Sequence, residues 1–155
     1  MKFQVNVKYL IRKVLPVIKK NFGGNYVEVD LTNQKLYLYK NSELIMSSNI
    51  VSGSVSQSHM TPTGVYQVYS MEKNTVLRGA DYASPVSFWM PFNGGVGFHD
   101  ATWRSSFGGT IYQYNGSHGC INMPYEKAKT LYNNISTGYY VSRVRRCRLM
   151  CLDRH

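Results

Sequence analysis

The spacing of apolar residues changes character at Phe22–Gly24. Before it, "KYLIRKVLPVIKK" mixes apolar and basic positions as an amphipathic segment does, and Pro16 predicts a kink in any helix formed there. After it the period is two. In "YVEVDL", Val27, Val29 and Leu31 share one face, while Glu28 and Asp30 point away. "TNQ" reads as a turn. "KLYLYK" then sets Leu36 and Leu38 against Tyr37 and Tyr39, which completes a hairpin signal. "NSE" turns the chain into a third strand, "LIMSSNIVSG".

The next stretch, "VSQSHMTPTG", is turn-rich, and "VYQVYSM" after it alternates as a strand. Residues 72–87 read as mixed loop. "VSFWMPF" is a strand that Pro91 either ends or places at an edge. "NGG" at 93–95 turns into "VGFH", a short strand ending at His99. "ATWRSSFGGTIYQYNG" reads as glycine-rich loop. Past "GCINM", Pro124 suits a first helical turn and Asn122 a cap. Ala128, Leu131 and Ile135 then recur at helical spacing, and the helix stops near Gly138. "YYVSRV" is the last strand expected. The sum is a mostly β domain with one short helix directly after a cysteine.

The length of 155 residues suits one domain with a real core. The net charge of +10 suggests nucleic acid until its distribution is seen. Residues 1–22 hold six Lys/Arg and no acid, and residues 141–155 hold five Arg against one Asp. Residues 23–140 hold seven basic and seven acidic side chains, so the folded body is neutral. A nucleic-acid-binding fold carries its basic face on the body, so no nucleic acid is expected as a partner. Basic tails suit an anionic surface such as a membrane or a wall polymer; the plainer reading is linker and solvated ends.

Of the three cysteines, Cys147 and Cys151 sit in "RRCRLMCLDRH", where nothing nearby completes a four-ligand metal set. Arg12, Lys13 and Pro16 break the N-terminal apolar run, which is too short and too charged for a bilayer span or an export signal. Any export segment is expected upstream of residue 1.

Cys120, in "NGSHGCINMP", carries the candidate chemistry. A helix N-terminus close behind it would favour the thiolate. Gly119 leaves room for a carbonyl to approach and permits a sharp backbone. A thiol nucleophile needs a base, and His118 and His99 compete for that role. His118 is two residues away; His99 ends a strand, where a base is held rigidly, and is modestly favoured. Three readings stay open on the residues alone: a nucleophile, a small buried hydrophobe, or a zinc site of His99, His118 and Cys120.

These residues resemble the signature of the L,D-transpeptidases, the YkuD-type domain of bacterial cell-wall synthesis. That signature is a histidine, a spacer, then Ser/Thr-His-Gly-Cys-hydrophobic-Asn. Here His99 is followed by seventeen residues and then "SHGCIN" at 117–122. "GFHDATWRSSFGG", "YVEVDLTNQKLYLY" and "TPTGVY" are similar to other parts of the family, so the resemblance covers about residues 25–141. It implies a β-sandwich-like core of the L,D-transpeptidase type, with the catalytic domain at 23–141. Residues 1–22 would then be a basic segment or linker, and 142–155 a basic tail.

The resemblance also implies roles. Cys120 is the nucleophile and His99 its base, oriented by the backbone carbonyl of Asp100. His118, Gly119 and the Cys120 amide shape the oxyanion site, and Ser117 and Asn122 hold the loop. Trp103, Arg104, Tyr112 and Tyr114 are candidates for the substrate groove, with Arg104 near a carboxylate. His59 reads as structural. The implied reaction joins peptidoglycan stem peptides, donor and acceptor, by a 3→3 cross-link through a Cys thioester. Carbapenem-type β-lactams are the implied inhibitors, and neither a cofactor nor a metal is required. A monomer outside the cytoplasm, in the wall or membrane-anchored in the full-length protein, is expected. The alternatives are an L,D-carboxypeptidase using the same thioester, or a non-catalytic wall- or metal-binding module.

Overall fold

The structure, a computed structural model, describes residues 22–61 and 63–144. The amphipathic helix expected around Pro16, and Cys147 and Cys151, lie outside the described residues. Among the described residues nine strands and two helices follow one another in this order: β1 (Tyr26–Asp30), β2 (Lys35–Lys40), β3 (Glu43–Asn49), β4 (Gly64–Gln67), β5 (Glu72–Arg78), β6 (Ala83–Asn93), β7 (Val96–Asp100), α1 (Ile111–Asn115), β8 (Ile121–Met123), α2 (Tyr125–Asn134) and β9 (Tyr140–Val144). They build two sheets, one ordered β3-β2-β1-β9-β4 and the other β5-β6-β7-β8.

The first three strands form the expected antiparallel meander, with Val27 opposite Leu38 and Val29 opposite Leu36. These apolar positions face a shared core with Phe98, Ile121, Leu131 and Val141. Glu28 and Asp30, on the other face of β1, the middle strand of its sheet, are also buried. The Asp30 carboxylate accepts the Thr32 and Asn33 amides at 3.1 and 3.0 Å. It thereby caps the turn into β2, as a buried side-chain acceptor must find its donors.

Several elements differ from the sequence reading. Residues 72–87 are not loop: β5 pairs with β6 from Glu72↔Trp89 to Arg78↔Ala83. β5 is an edge strand with mostly exposed side chains, so it shows no alternation to read. β6 does not end at Pro91. Its pairing with β5 stops at Trp89; beyond it Pro91, which has no N–H to give, pairs with Gly97 of β7, and its carbonyl accepts the Tyr69 N–H at 3.0 Å. A Cβ on Gly97 would stand 2.5 Å from Pro91 Cα, so glycine there lets the two strands close. A second helix, α1, sits within the stretch read as glycine-rich loop.

The helix after the cysteine is α2, but it does not follow directly. β8 intervenes, Pro124 is the N-cap, and Asn122 belongs to the strand rather than to a cap. The last strand runs to Val144, parallel to β1 and antiparallel to β4. Ser142 and Arg143, assigned above to a basic tail, are thus inside the sheet and buried. The Arg143 guanidinium lies over the Tyr66 and Phe92 rings, 4.1 and 4.8 Å from their centroids. Burial lowers its pKa, with Tyr66 opposing. Among the described residues no helix is long and apolar enough to cross a membrane.

Candidate active site

β7 and β8 are neighbouring parallel strands, with Phe98 opposite Ile121 and His99 opposite Asn122. Side chains two apart on an extended strand share a face, so Cys120, just before β8, stands on the same side as Asn122 and therefore as His99. This pairing brings together two residues 21 positions apart in the chain. Both line one cavity of about 300 Å³.

His99 is buried, with its ring 5.9 Å from the Trp89 ring and 5.9 Å from the Trp103 ring. Its Nδ1 lies 2.8 Å from the Asp100 carbonyl oxygen. A carbonyl only accepts, so Nδ1 carries the proton and Nε2 keeps the basic lone pair. The Asp100 carboxylate is turned elsewhere and accepts the Ser87 and Phe88 amides, both at 2.9 Å. The residue thus fixes the imidazole with its backbone and ties β7 to β6 with its side chain.

Electrostatically, thiol and imidazole are a neutral pair. Desolvation lowers the His99 pKa, opposed by the Asp100 hydrogen bond and charge, and the nearby Arg104 lowers it further. Burial pushes the Cys120 thiol up to about 11, with the Gly97 backbone opposing. The help expected from a helix end is missing because β8 separates Cys120 from α2. The thiol donates to the Gly95 carbonyl at 3.3 Å. The arrangement therefore suits a base that removes the thiol proton as the sulfur attacks, rather than a resting ion pair.

The turn preceding Cys120 is laced on both sides. Val51 and Asn122 exchange backbone hydrogen bonds at 3.0 and 2.9 Å, Ser117 N–H donates to the Ser52 carbonyl at 2.9 Å, and Ser54 N–H donates to Ser117 at 2.9 Å. The Ser117 hydroxyl donates to the Cys120 carbonyl at 2.5 Å and accepts the Gly119 N–H at 3.1 Å. Gly119 has φ +132°, where a side chain would be strained. Its N–H is therefore engaged by Ser117 and not aimed at the cavity. Asn122 holds the loop through its backbone, while its side-chain Oδ1 is buried without a partner.

Thr61, in "TPTGVY" but assigned no role by the sequence reading, completes the clamp. Its hydroxyl donates to the Gly119 carbonyl at 2.7 Å and accepts the Gly53 N–H at 2.9 Å, both buried. Replacing Thr61 by valine leaves that N–H and that carbonyl unpaired. A loss of about 1–3 kcal/mol of stability is expected, read as a lower urea midpoint at unchanged slope. A midpoint equal to the parent's would show that the clamp contributes nothing.

The other expected site residues divide. His118 is exposed on the cavity wall, its ring stacked on Tyr82 at 4.5 Å and tilted against His59 at 5.0 Å. Trp103 and Arg104 line the cavity. Tyr112 and Tyr114 do not. Tyr112 is buried, and Tyr114 is 79% exposed. Both lie on α1, which turns one inward and the other to solvent. Among the lining residues that the sequence reading missed are Arg78, Tyr82, Trp89 and Gly95. All four lie on β5, β6 or the turns that end them, and of these only Gly95, in the "NGG" turn, carried a readable turn signal. Among the described residues no three His, Cys, Asp or Glu side chains gather in a way that could hold a metal ion.

The family model described as the L,D-transpeptidase catalytic domain, YkuD, matches residues 24–144. A crystallised cysteine-to-serine mutant of an Enterococcus faecium L,D-transpeptidase is 38% identical with a TM-score of 0.75, over 78% of this chain and 50% of that one. The catalytic domain of an E. faecium L,D-transpeptidase acylated by ertapenem is 38% identical with a TM-score of 0.71, over 78% of this chain and 97% of that one. The chain thus spans half the length of the former and nearly all of the latter. An L,D-transpeptidase from Mycobacterium smegmatis is 20% identical with a TM-score of 0.66, over 78% of this chain and 58% of that one, which is a likeness of fold. No curated protein matches.

Proposed function

The chain belongs to the L,D-transpeptidase catalytic domain family, and from that membership we propose that it cross-links peptidoglycan stem peptides through a thioester on Cys120. The observation that carries this reading is the pair itself. His99 and Cys120 line one cavity, and the Asp100 carbonyl holds the Nδ1 proton so that Nε2 is free to act.

In the first half-reaction the thiol proton passes to His99 Nε2. The sulfur attacks the carbonyl of the residue with the L-centre that precedes a terminal D-amino acid. The C–N bond breaks, Nε2 returns the proton to the leaving amine, and a thioester remains. In the second, a side-chain amine of another stem attacks the thioester. Its proton travels through Nε2 to the departing sulfur, which leaves a 3→3 amide and a regenerated thiol. The Cys120 amide and His118 face the developing oxyanion; the Gly119 amide is already engaged. These steps use side chains of one chain only, so a monomer suffices and no cofactor enters.

The substrate sets the location, outside the cytoplasmic membrane. The relative acylated by ertapenem supports the same acylation of Cys120 by carbapenem-type β-lactams. Incubation of the full chain with a disaccharide-tetrapeptide, followed by mass spectrometry, tests the reaction. Cross-linked dimers are expected. Tripeptide alone would make the protein an L,D-carboxypeptidase, and unchanged substrate would overturn both.

A further inference from the structure

The cavity around Cys120 contains no aspartate or glutamate, yet two arginines, Arg78 and Arg104, stand in its wall. Such a lining attracts anions. Arg104 is the more constrained. It follows β7 in the crossover toward α1, with its amide donating to the Ala101 carbonyl at 3.1 Å. Its Nη1 donates to the carbonyl of Asn115, the last residue of α1, at 2.7 Å. Its Nε is buried with no hydrogen-bond partner. A guanidinium clamped at one nitrogen has its orientation settled, and the edge formed by Nε and the other terminal nitrogen is left to give. That edge matches the two oxygens of a carboxylate. A buried N–H without an acceptor is costly, so the site gains when a ligand supplies one.

We propose that Arg104 is the seat for a free carboxylate on the acyl donor, and that this carboxylate is the one on the leaving D-amino acid. The assignment rests on the acyl-transfer reading above and adds the substrate feature that the cavity selects. The leaving residue carries its carboxylate on the carbon next to the scissile nitrogen. Arg104 lines the same cavity as His99 and Cys120, so an anion bound there sits beside the reacting atoms. A donor extended by a further residue, or amidated at its end, offers no anion at that place.

Two measurements on the full chain separate this inference from the reaction itself. In the first, disaccharide-tetrapeptide donors ending in a free carboxylate or a carboxamide are compared by release of the terminal residue. The acid is expected to exceed the amide by about 10- to 100-fold in kcat/KM, Arg104→Gln to erase the difference by slowing the acid alone, and Arg104→Lys to restore part of it. An acid-to-amide ratio that Arg104→Gln leaves untouched overturns the seat. Release from neither donor overturns the acyl-transfer reading instead.

The second measurement then still decides about Arg104. Cys120 is alkylated with iodoacetate, which carries a carboxylate, and with uncharged iodoacetamide. Arg104→Gln is expected to lower the iodoacetate rate about tenfold or more relative to iodoacetamide. Both reagents meet the same thiol and the same base, so the ratio cancels any change that the variant makes in either. Equal ratios in parent and variant would refute carboxylate binding at Arg104.

Discussion

Replacing Cys120 by alanine abolishes both the carbapenem adduct and the release of a terminal D-residue, and replacing it by serine lowers both by about 10³-fold or more. The reason is chemical rather than architectural. No other described thiol exists. A serine hydroxyl can keep the hydrogen bond to the Gly95 carbonyl that the thiol makes at 3.3 Å, so the fold is undisturbed. The hydroxyl is a far weaker acid than even this raised thiol, so His99 cannot deliver a comparable nucleophile. Intact-mass spectrometry after exposure to a carbapenem checks the adduct, and thermal unfolding checks the fold. An adduct formed at the parental rate by the alanine variant would mean that the acyl group rests elsewhere.

The second large effect is at His99. His99→Gln is expected to slow acylation near neutral pH by about 10²- to 10⁴-fold. The pH profile should change as well. In the parent, the imidazole pKa is lowered, so the base is already unprotonated through the neutral range. The rate is therefore flat there and falls only as acid protonates His99 below its ordinary range of about 6.5. In the variant nothing removes the thiol proton, and only the spontaneous thiolate reacts. With the thiol pushed up to about 11, that fraction rises about tenfold per pH unit toward that value. Acylation by a carbapenem, followed by stopped-flow from acid to alkaline pH, separates the two profiles. A variant with the parental plateau would remove His99 from the role of base.

The same two residues show how far the chain could be read unaided. The period-two segments became β1 and β2 because each places its apolar side on the core, and a local alternation reports that directly. Ala128, Leu131 and Ile135 marked α2 for the same reason. The block "SHGCIN" was legible as chemistry because its residues act together and are adjacent. β5 was not legible. Its side chains face solvent, and what holds it is the backbone ladder to β6, which no side-chain pattern encodes. Tyr112 and Tyr114 were placed in the groove by proximity to the signature, and the single turn of α1 sends both away from it.

What the sequence by itself determined is the set of reactive types: a cysteine flanked by glycine and histidine, a distant second histidine, and a β framework to carry them. Only the tertiary structure decided how they meet. The parallel pairing of β7 with β8 puts His99 and Cys120 on one face, and β8 displaces the helix end that was expected to favour the thiolate. Burial then raises the thiol and lowers the imidazole, reversing the expected direction for Cys120. Thr61, far from the signature, fixes the carbonyl of Gly119. Periodicity and motif are properties of neighbours along the chain. Desolvation, strand register and a hydrogen bond across 58 residues are set by segments that meet only when the chain has folded.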